Sequence, residues 1–359
     1  MALSSASSRL FALGLVVALA TACASTPPAP TAESRPPTPA PGAGDRAAAP
    51  PVPAPAPPPD HFRSEDYVVT FSKAGDTPAS LAERYLGDAA KAWMIEDFAG
   101  TASLATGQEV VIPLRPWNLS GVDASGYQIV PILVYHNLGP QAKGRLVLGA
   151  KSFEQQMRYL KAEGYRVISL GDFVEAMRLQ RQLPRKAVVL TFDDGYRAFL
   201  EYAYPVLKEL GFTATLFVYT DYIGAGRNSL SWDELRKLSS EGFDIEAHSK
   251  SHADLRRATG ETDAQFARRM QSELADPLRL FQRNLGHATQ ILAYPYGRTD
   301  DEVVRKVREI GYVAAFTVRR QGSPSFVAPL RANRSQIYSE MSLEDFARNL
   351  NVFQREDLR

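Results

Sequence analysis

Cysteine and net charge are both scarce in this sequence, and each scarcity excludes a class of protein. Cys23 is the only cysteine in 359 residues, which excludes an internal disulfide. Lysine and arginine total 41 against 40 acidic residues, and this balance gives no indication of a nucleic-acid partner. The apolar run at residues 10–20 is too short to span a bilayer as a mature helix.

The N-terminus has the pattern of an export signal. Arg9 precedes the apolar run, and small residues follow it up to Cys23, which predicts a signal peptide at residues 1–22. Cys23 would then become the acylated N-terminus of a lipoprotein anchored to a membrane. By resemblance to lipoprotein sorting rules, Ala24 favours the outer membrane, facing the periplasm or cell surface. The alternative is plain cleavage after Ala22, which gives a soluble periplasmic or secreted protein.

Composition divides the rest of the chain into segments. Residues 23–63 are rich in proline and alanine and predict a disordered, extended tether. Residues 64–115 predict a βααβ unit, with Pro78 in the first turn of its first helix. Residues 116–127 form a predicted linker. The βααβ unit resembles LysM modules, which bind chains of N-acetylglucosamine such as those of peptidoglycan. The alternative is a spacer without affinity for sugar.

Residues 128–359 alternate short apolar runs with helical patterns, including a long predicted helix near residues 263–284. Such alternation predicts an α/β fold in which helices cover parallel strands. Ligands of such sheets bind at the carboxyl ends of the strands. Polar residues that follow a predicted strand are therefore candidates for the functional site.

Two predicted strands end in groups that suit metal chemistry. The strand ending at residue 192 leads into Asp193 and Asp194, and the strand at 243–247 leads into His248 and His252. Two imidazoles and one carboxylate make an open zinc site, while the second carboxylate is free to act as a general base. The same ligand set occurs in non-haem iron oxygenases, but the paired aspartates do not suit them. The alternative is an ordinary turn with solvent-facing histidines.

Three motifs in this order resemble those of the polysaccharide deacetylases, the NodB-like carbohydrate esterases of family four. They are Thr-Phe-Asp-Asp-Gly at 191–195, His-Ser-Lys-Ser-His at 248–252 and Tyr-Pro-Tyr-Gly at 294–297. The resemblance implies a distorted (β/α)7-type barrel for residues 128–359. It also implies Asp194, His248 and His252 as ligands of a divalent metal, with zinc favoured, and Asp193 as the base.

Further roles follow from the same resemblance. Tyr294 and Pro295 would contact substrate, and the main-chain N–H of Tyr296 would stabilise the oxyanion. No histidine follows His287, so the acid is assigned to His136, in a Tyr-His motif that resembles the poly-N-acetylglucosamine deacetylase branch.

The sequence departs from the family at Ala293, where an arginine usually orients the base. Candidates for a replacement are Arg319, Arg320 and Arg331. The resemblance implies metal-dependent removal of N-acetyl groups from a polymer that contains N-acetylglucosamine, either an exopolysaccharide or peptidoglycan. The alternative is a catalytically silent glycan-binding lipoprotein of the cell envelope.

Overall fold

The structure is a computed structural model that describes residues 60–359. The predicted signal peptide, the acylation site Cys23 and tether residues 23–59 lie outside the described residues. The tether is predicted to extend to residue 63, but His61–Arg63 is a strand that pairs antiparallel with residues 68–70. This pairing forms with a strand downstream, so local composition does not reveal it. No helix within residues 60–359 is both long enough and apolar enough to span a membrane.

The described residues contain sixteen strands and ten α-helices. The strands are β1 (His61–Arg63), β2 (Tyr67–Phe71), β3 (Glu109–Pro113), β4 (Val122–Asp123), β5 (Gly126–Gln128), β6 (Ile132–Tyr135), β7 (Asn137–Gly139), β8 (Val147–Gly149), β9 (Arg166–Val167), β10 (Ala187–Asp194), β11 (Thr215–Val218), β12 (Asp244–Ala247), β13 (Ile291–Ala293), β14 (Ala314–Phe316), β15 (Ser335–Gln336) and β16 (Phe353–Arg355). The helices are α1 (Pro78–Leu86), α2 (Ala92–Ala99), α3 (Ala150–Ala162), α4 (Leu170–Met177), α5 (Tyr204–Leu210), α6 (Trp232–Ser240), α7 (Asp263–Met270), α8 (Asp276–Leu285), α9 (Asp301–Ile310) and α10 (Leu343–Ala347).

The first part of the described chain is a small unit of three antiparallel strands, β1-β2-β3, and two helices. Thr77 caps α1 by accepting a hydrogen bond from the Ser80 N–H, and Pro78 occupies the first turn, where no N–H is needed. Its core consists mainly of aliphatic side chains from β2, α1, α2 and β3. The order of elements matches the βααβ prediction, with β1 added at one edge.

The small unit contacts the larger α/β part of the chain through α2. Glu96 forms an ion pair with Arg166 of β9, and Asp97 accepts a 2.8 Å hydrogen bond from the Arg185 N–H. The predicted linker at 116–127 contains β4 and the start of β5, which pairs with β16 near the C-terminus. Residues of the predicted linker therefore take part in a small antiparallel sheet with residues near the C-terminus.

The main sheet has the order β14-β13-β12-β11-β10-β6-β15, and every neighbouring pair along it is parallel. An isolated parallel bridge joins Phe316 to Ala332, just ahead of β15, so the two edges of the curled sheet approach each other. Side chains of successive strand residues alternate between two cores, one shared with α3 and α5–α10 and the other shared with α4. This half-barrel sheet confirms the predicted α/β class and the predicted count of about seven strands.

Candidate active site

The candidate residues are brought together because parallel strands present their carboxyl ends at one edge of the sheet. Asp193 and Asp194 are the last two residues of β10. His248 directly follows β12, which lies two strands away from β10 in the sheet. His136 follows β6, on the other side of β10. Residues separated by more than fifty positions in the sequence therefore lie at one edge of the sheet.

Asp194, His248 and His252 form a compact cluster whose potential ligand atoms all lie within 4.8 Å of one another. The Asp194 Oδ1 atom is 3.3 Å from His252 Nε2 and 3.6 Å from His248 Nε2. His248 Nδ1 is 2.8 Å from the carbonyl oxygen of Ala293, an acceptor that requires the proton on Nδ1. The lone pair of His248 Nε2 therefore points toward Asp194, as a metal ligand requires.

The loop between the two histidines is held in an uncommon backbone conformation. Ser249 and His252 have φ values of 70° and 63°, in the left-handed region. The His252 N–H donates a 3.0 Å hydrogen bond to the Ser249 hydroxyl. Left-handed backbone is costly for residues other than glycine, so the surrounding structure must stabilise it.

The charges in the cluster fit a divalent cation. Burial lowers the pKa of His248 to about 4, so this imidazole is neutral and able to act as a ligand at pH 7. Burial raises the pKa of Asp194 to about 6, and its buried Oδ1 atom has no hydrogen-bond partner among residues 60–359. A buried carboxylate oxygen without a partner is costly, and a cation would compensate for it. Two imidazoles and one carboxylate are the donors of open zinc sites.

Asp193 is oriented by Arg334, which the sequence analysis did not identify. Both side chains are buried, and the guanidinium binds the carboxylate in a bidentate manner, with N–O distances of 2.7 and 2.8 Å. The same guanidinium also donates to the carbonyl oxygen of Thr317 and to the Thr191 hydroxyl. Burial by itself raises the pKa of Asp193, but the positive charge of Arg334 lowers it to about 2 overall. Asp193 is therefore ionised at neutral pH.

The three arginines proposed as replacements for the missing arginine at 293 bind elsewhere. Arg331 pairs with Asp301 on the surface, and Arg320 donates to Asn349 and to a main-chain carbonyl. Arg319 is exposed. Arg334 precedes the short strand β15, whose pairing with β6 brings it to the site. No local signal marks it, because that pairing joins segments about two hundred positions apart in the numbering of the chain.

His136 lies close to Asp193 and Asp194. Burial raises the pKa of both carboxyl groups, and the charge of His136 opposes this effect. Its Nε2 atom is 3.4 Å from the amide nitrogen of Gln336. Its Nδ1 atom is buried and has no hydrogen-bond partner among the described residues. One ring nitrogen is therefore held by the protein, while the other remains available.

The three residues that follow β13 differ in burial, since Tyr294 and Pro295 are buried and Tyr296 is exposed. The Tyr294 side chain is completely buried and its hydroxyl donates to the carbonyl oxygen of Leu330, so Tyr294 packs in the core and does not line a cleft. Pro295 is also buried. Both side chains therefore lie in the core, and a contact of Tyr294 and Pro295 with substrate stays a prediction. Tyr296 is 56% exposed, has φ of 60° and lies with its ring 4.6 Å from that of His252.

An Asp-His-His cluster beside an arginine-held carboxylate, at the carboxyl edge of a parallel sheet, defines a candidate hydrolytic site of the metal-dependent class. Residues 180–315 match the model of the family described as Polysaccharide deacetylase.

Several individual proteins are similar to this chain in sequence or in structure. YxkH of Bacillus subtilis is 31% identical over 188 residues, which cover 52% of this chain and 64% of that protein. The poly-beta-1,6-N-acetyl-D-glucosamine N-deacetylase of Escherichia coli is 22% identical over 69% of this chain and 41% of its own length. This chain therefore spans less than two thirds of either relative. The deacetylase PplD of Streptococcus pyogenes, solved with acetate, superposes with a TM-score of 0.56 at 26% identity, over 63% of this chain and 100% of PplD.

Proposed function

We propose that this protein hydrolyses N-acetyl groups of a polysaccharide that contains N-acetylglucosamine. The convergence of Asp194, His248 and His252 within 4.8 Å is the observation that carries the proposal. The ionised carboxylate of Asp193 lies beside this cluster, with its Oδ2 atom 4.0 Å from His248 Nε2. Amide hydrolysis requires both an electrophilic centre and a nearby base, and this arrangement supplies positions for both.

Asp194 and the two histidines would hold a divalent cation, with zinc favoured by the donor set. When bound, such an ion acts as a Lewis acid for the acetamide carbonyl and lowers the pKa of water. Asp193 accepts the proton of the attacking water, and Arg334 fixes the direction in which its carboxylate points. The rigid bidentate contact keeps the base in one orientation before substrate arrives.

The remaining roles belong to His136 and Tyr296. His136, on the opposite side of β10 from the metal-ligand histidines, would donate a proton to the leaving amine. The main-chain N–H of Tyr296 would donate to the oxyanion, and the left-handed backbone at Tyr296 fixes the direction of this N–H group.

Replacement of His136 should remove proton donation to the leaving amine and leave the proposed metal ligands unchanged. We expect His136→Ala to lower kcat for acetate release by about 10²–10³-fold, because the leaving amine then departs without a general acid. Metal content should not change, since the three proposed ligands are intact. His287→Ala is the matched control, because His287 lies on the exposed surface beside Ser239. Equal activity of the two variants would remove His136 from the mechanism.

Poly-β-1,6-N-acetylglucosamine is the substrate that the comparison with the Escherichia coli deacetylase supports. The direct experiment measures acetate release by the full chain from oligomers of this polymer, from chitin oligomers and from peptidoglycan. We expect the fastest release from the β-1,6-linked oligomers. Release from peptidoglycan alone would support the proposed deacetylase activity but would identify peptidoglycan as the substrate.

A catalytically silent glycan-binding protein is the alternative. The absence of an arginine at 293 favoured that reading, but Arg334 supplies the missing contact to the base. Release of acetate by the wild type, and its loss in Asp193→Asn, would exclude a purely binding role.

Export, acylation of Cys23 and glycan binding by the small unit also belong to this proposal. A lipid anchor at the outer membrane, followed by the proline-rich segment, would allow the enzyme to reach envelope polysaccharide, with the LysM-like unit binding N-acetylglucosamine chains such as peptidoglycan. Mass spectrometry of the mature N-terminus tests the anchor, since an acylated Cys23 and a free residue after plain cleavage differ in mass.

A further inference from the structure

The helical segment at residues 263–285 packs against the loop that joins His248 and His252. The helix is interrupted where it faces this loop. A continuous helix is predicted near residues 263–284, but the structure has α7, then a π-helical segment at Gln271–Ala275, then α8. Single π-helical turns within α-helices occur frequently at functional sites. Glu273 lies in this turn, and its side chain is buried, with 7% of its surface exposed.

The Glu273 carboxylate binds the loop that joins the two histidines. Oε2 accepts hydrogen bonds from the main-chain N–H groups of Lys250 and Ser251, at 3.2 and 3.0 Å. Oε1 accepts a 2.7 Å hydrogen bond from the Ser251 hydroxyl. None of the three residues in this contact, Glu273, Lys250 and Ser251, is a candidate metal ligand.

A second contact holds the same loop from the opposite side. Lys250 reaches both carboxylate oxygens of Asp221 at 2.7 and 2.8 Å, and the Asp221 N–H donates to the Lys250 carbonyl oxygen. The two residues that make these contacts, Lys250 and Ser251, are flanked by the left-handed residues Ser249 and His252. Such backbone persists only where neighbouring groups stabilise it, and the Asp221 ion pair is partly exposed, whereas the Glu273 contact is buried.

We propose that Glu273 is a positioning residue that holds the 248–252 loop so that His248 and His252 both face Asp194. The proposal rests on the metal site of the proposed function. A buried carboxylate that binds two main-chain N–H groups fixes the separation of the two imidazoles more tightly than an exposed contact does. Loss of this contact lets His252 move away from the position that it needs to bind the ion.

The test measures the affinity of the full chain for Zn²⁺ by competition with a chromophoric chelator. We expect Glu273→Ala to weaken Zn²⁺ binding by about 10–100-fold, the usual cost of losing a group that orients a ligand. Glu273→Gln should lose less than Glu273→Ala, because its amide oxygen still accepts from the loop N–H groups. Ser251→Ala removes only the hydroxyl contact and should have the smallest effect. Gln271→Ala is the control, since Gln271 is exposed in the same π-helical turn.

The melting temperature of each metal-free variant separates positioning from general stability. A folded Glu273→Ala protein with wild-type affinity for Zn²⁺ would overturn the proposal. If Glu273→Ala does not fold, the other three proteins decide the question. The proposal is supported if affinity for Zn²⁺ decreases in the order wild type, Ser251→Ala, Glu273→Gln. Equal affinities of these three proteins overturn the proposal. Failure of the wild type to bind Zn²⁺ would instead refute the metal site on which the proposal rests.

Discussion

Asp193→Asn should lower acetate release by about 10³–10⁴-fold while the protein continues to bind its metal. Asparagine has nearly the same shape as aspartate but cannot accept a proton from the attacking water. The proposed ligands Asp194, His248 and His252 are not altered, and Asp193 is not a member of that cluster. The measurement is kcat for acetate release, with metal content determined on the same sample.

The matched contrast is Asp194→Asn, one residue along the same strand. This variant should lose metal and activity together, because the amide is a much poorer ligand than a carboxylate. If Asp193→Asn keeps more than a tenth of the wild-type rate, Asp193 is not the base. If both variants keep their metal, Asp194 is not a ligand.

Arg334→Met should destabilise the protein by about 3–5 kcal/mol, the usual cost of leaving one partner of a buried ion pair without the other. Arg334 is 0% exposed and the side chain of Asp193 is 2% exposed. Without the guanidinium, burial raises the pKa of Asp193. The variant should therefore also lose activity, since a protonated carboxyl cannot act as a base. The urea concentration at the midpoint of unfolding measures the loss of stability.

A double variant tests whether the cost arises from the unpaired carboxylate. Asp193→Asn in combination with Arg334→Met should be more stable than Arg334→Met alone, because no buried charge remains without a partner. Arg331→Ala is the control for loss of an arginine in this segment, since Arg331 pairs with Asp301 at the surface. If the two single arginine variants are equally stable, Arg334 does not neutralise a buried charge.

The α/β class and the convergence of the strand-end aspartates with His248 and His252 could be predicted from the sequence, because both depend on local pattern. Apolar runs that end in charged residues mark buried strands, and parallel strands expose their carboxyl ends at one edge. Asp194, His248 and His252 lie together as that rule requires. His136 was reached through resemblance to one branch of the family, and β6, which it follows, is adjacent to β10.

Other features depend on contacts between distant segments and have no local signal. Arg334 reaches Asp193 because β15 pairs with β6, and the two-residue β15 is too short to show an apolar period. The π-helical turn at 271–275 differs from these features, because Pro277 follows it. Proline cannot donate to the carbonyl four residues earlier, that of Glu273, so the sequence does carry a local signal for a break in this helix. Tyr294 was assigned to substrate from its motif, but a motif does not state whether a side chain points to solvent or core.

The small unit shows the same division between local and distant information. Thr77 and Pro78 mark the start of α1 in the sequence, and the structure begins that helix at Pro78. Strand β1 directly follows the proline-rich stretch, and its place in the sheet comes from pairing with β2. Composition identifies regions of the chain, whereas pairing sets their boundaries.

Chelation followed by reconstitution with metal tests the central claim most directly. The full chain is assayed for acetate release from β-1,6-linked N-acetylglucosamine oligomers before chelation, after removal of divalent cations, and after return of Zn²⁺. We predict that release stops on chelation, returns with Zn²⁺ in the wild type, and does not return in Asp194→Asn. Release that continues at the same rate in the metal-free protein would contradict the account.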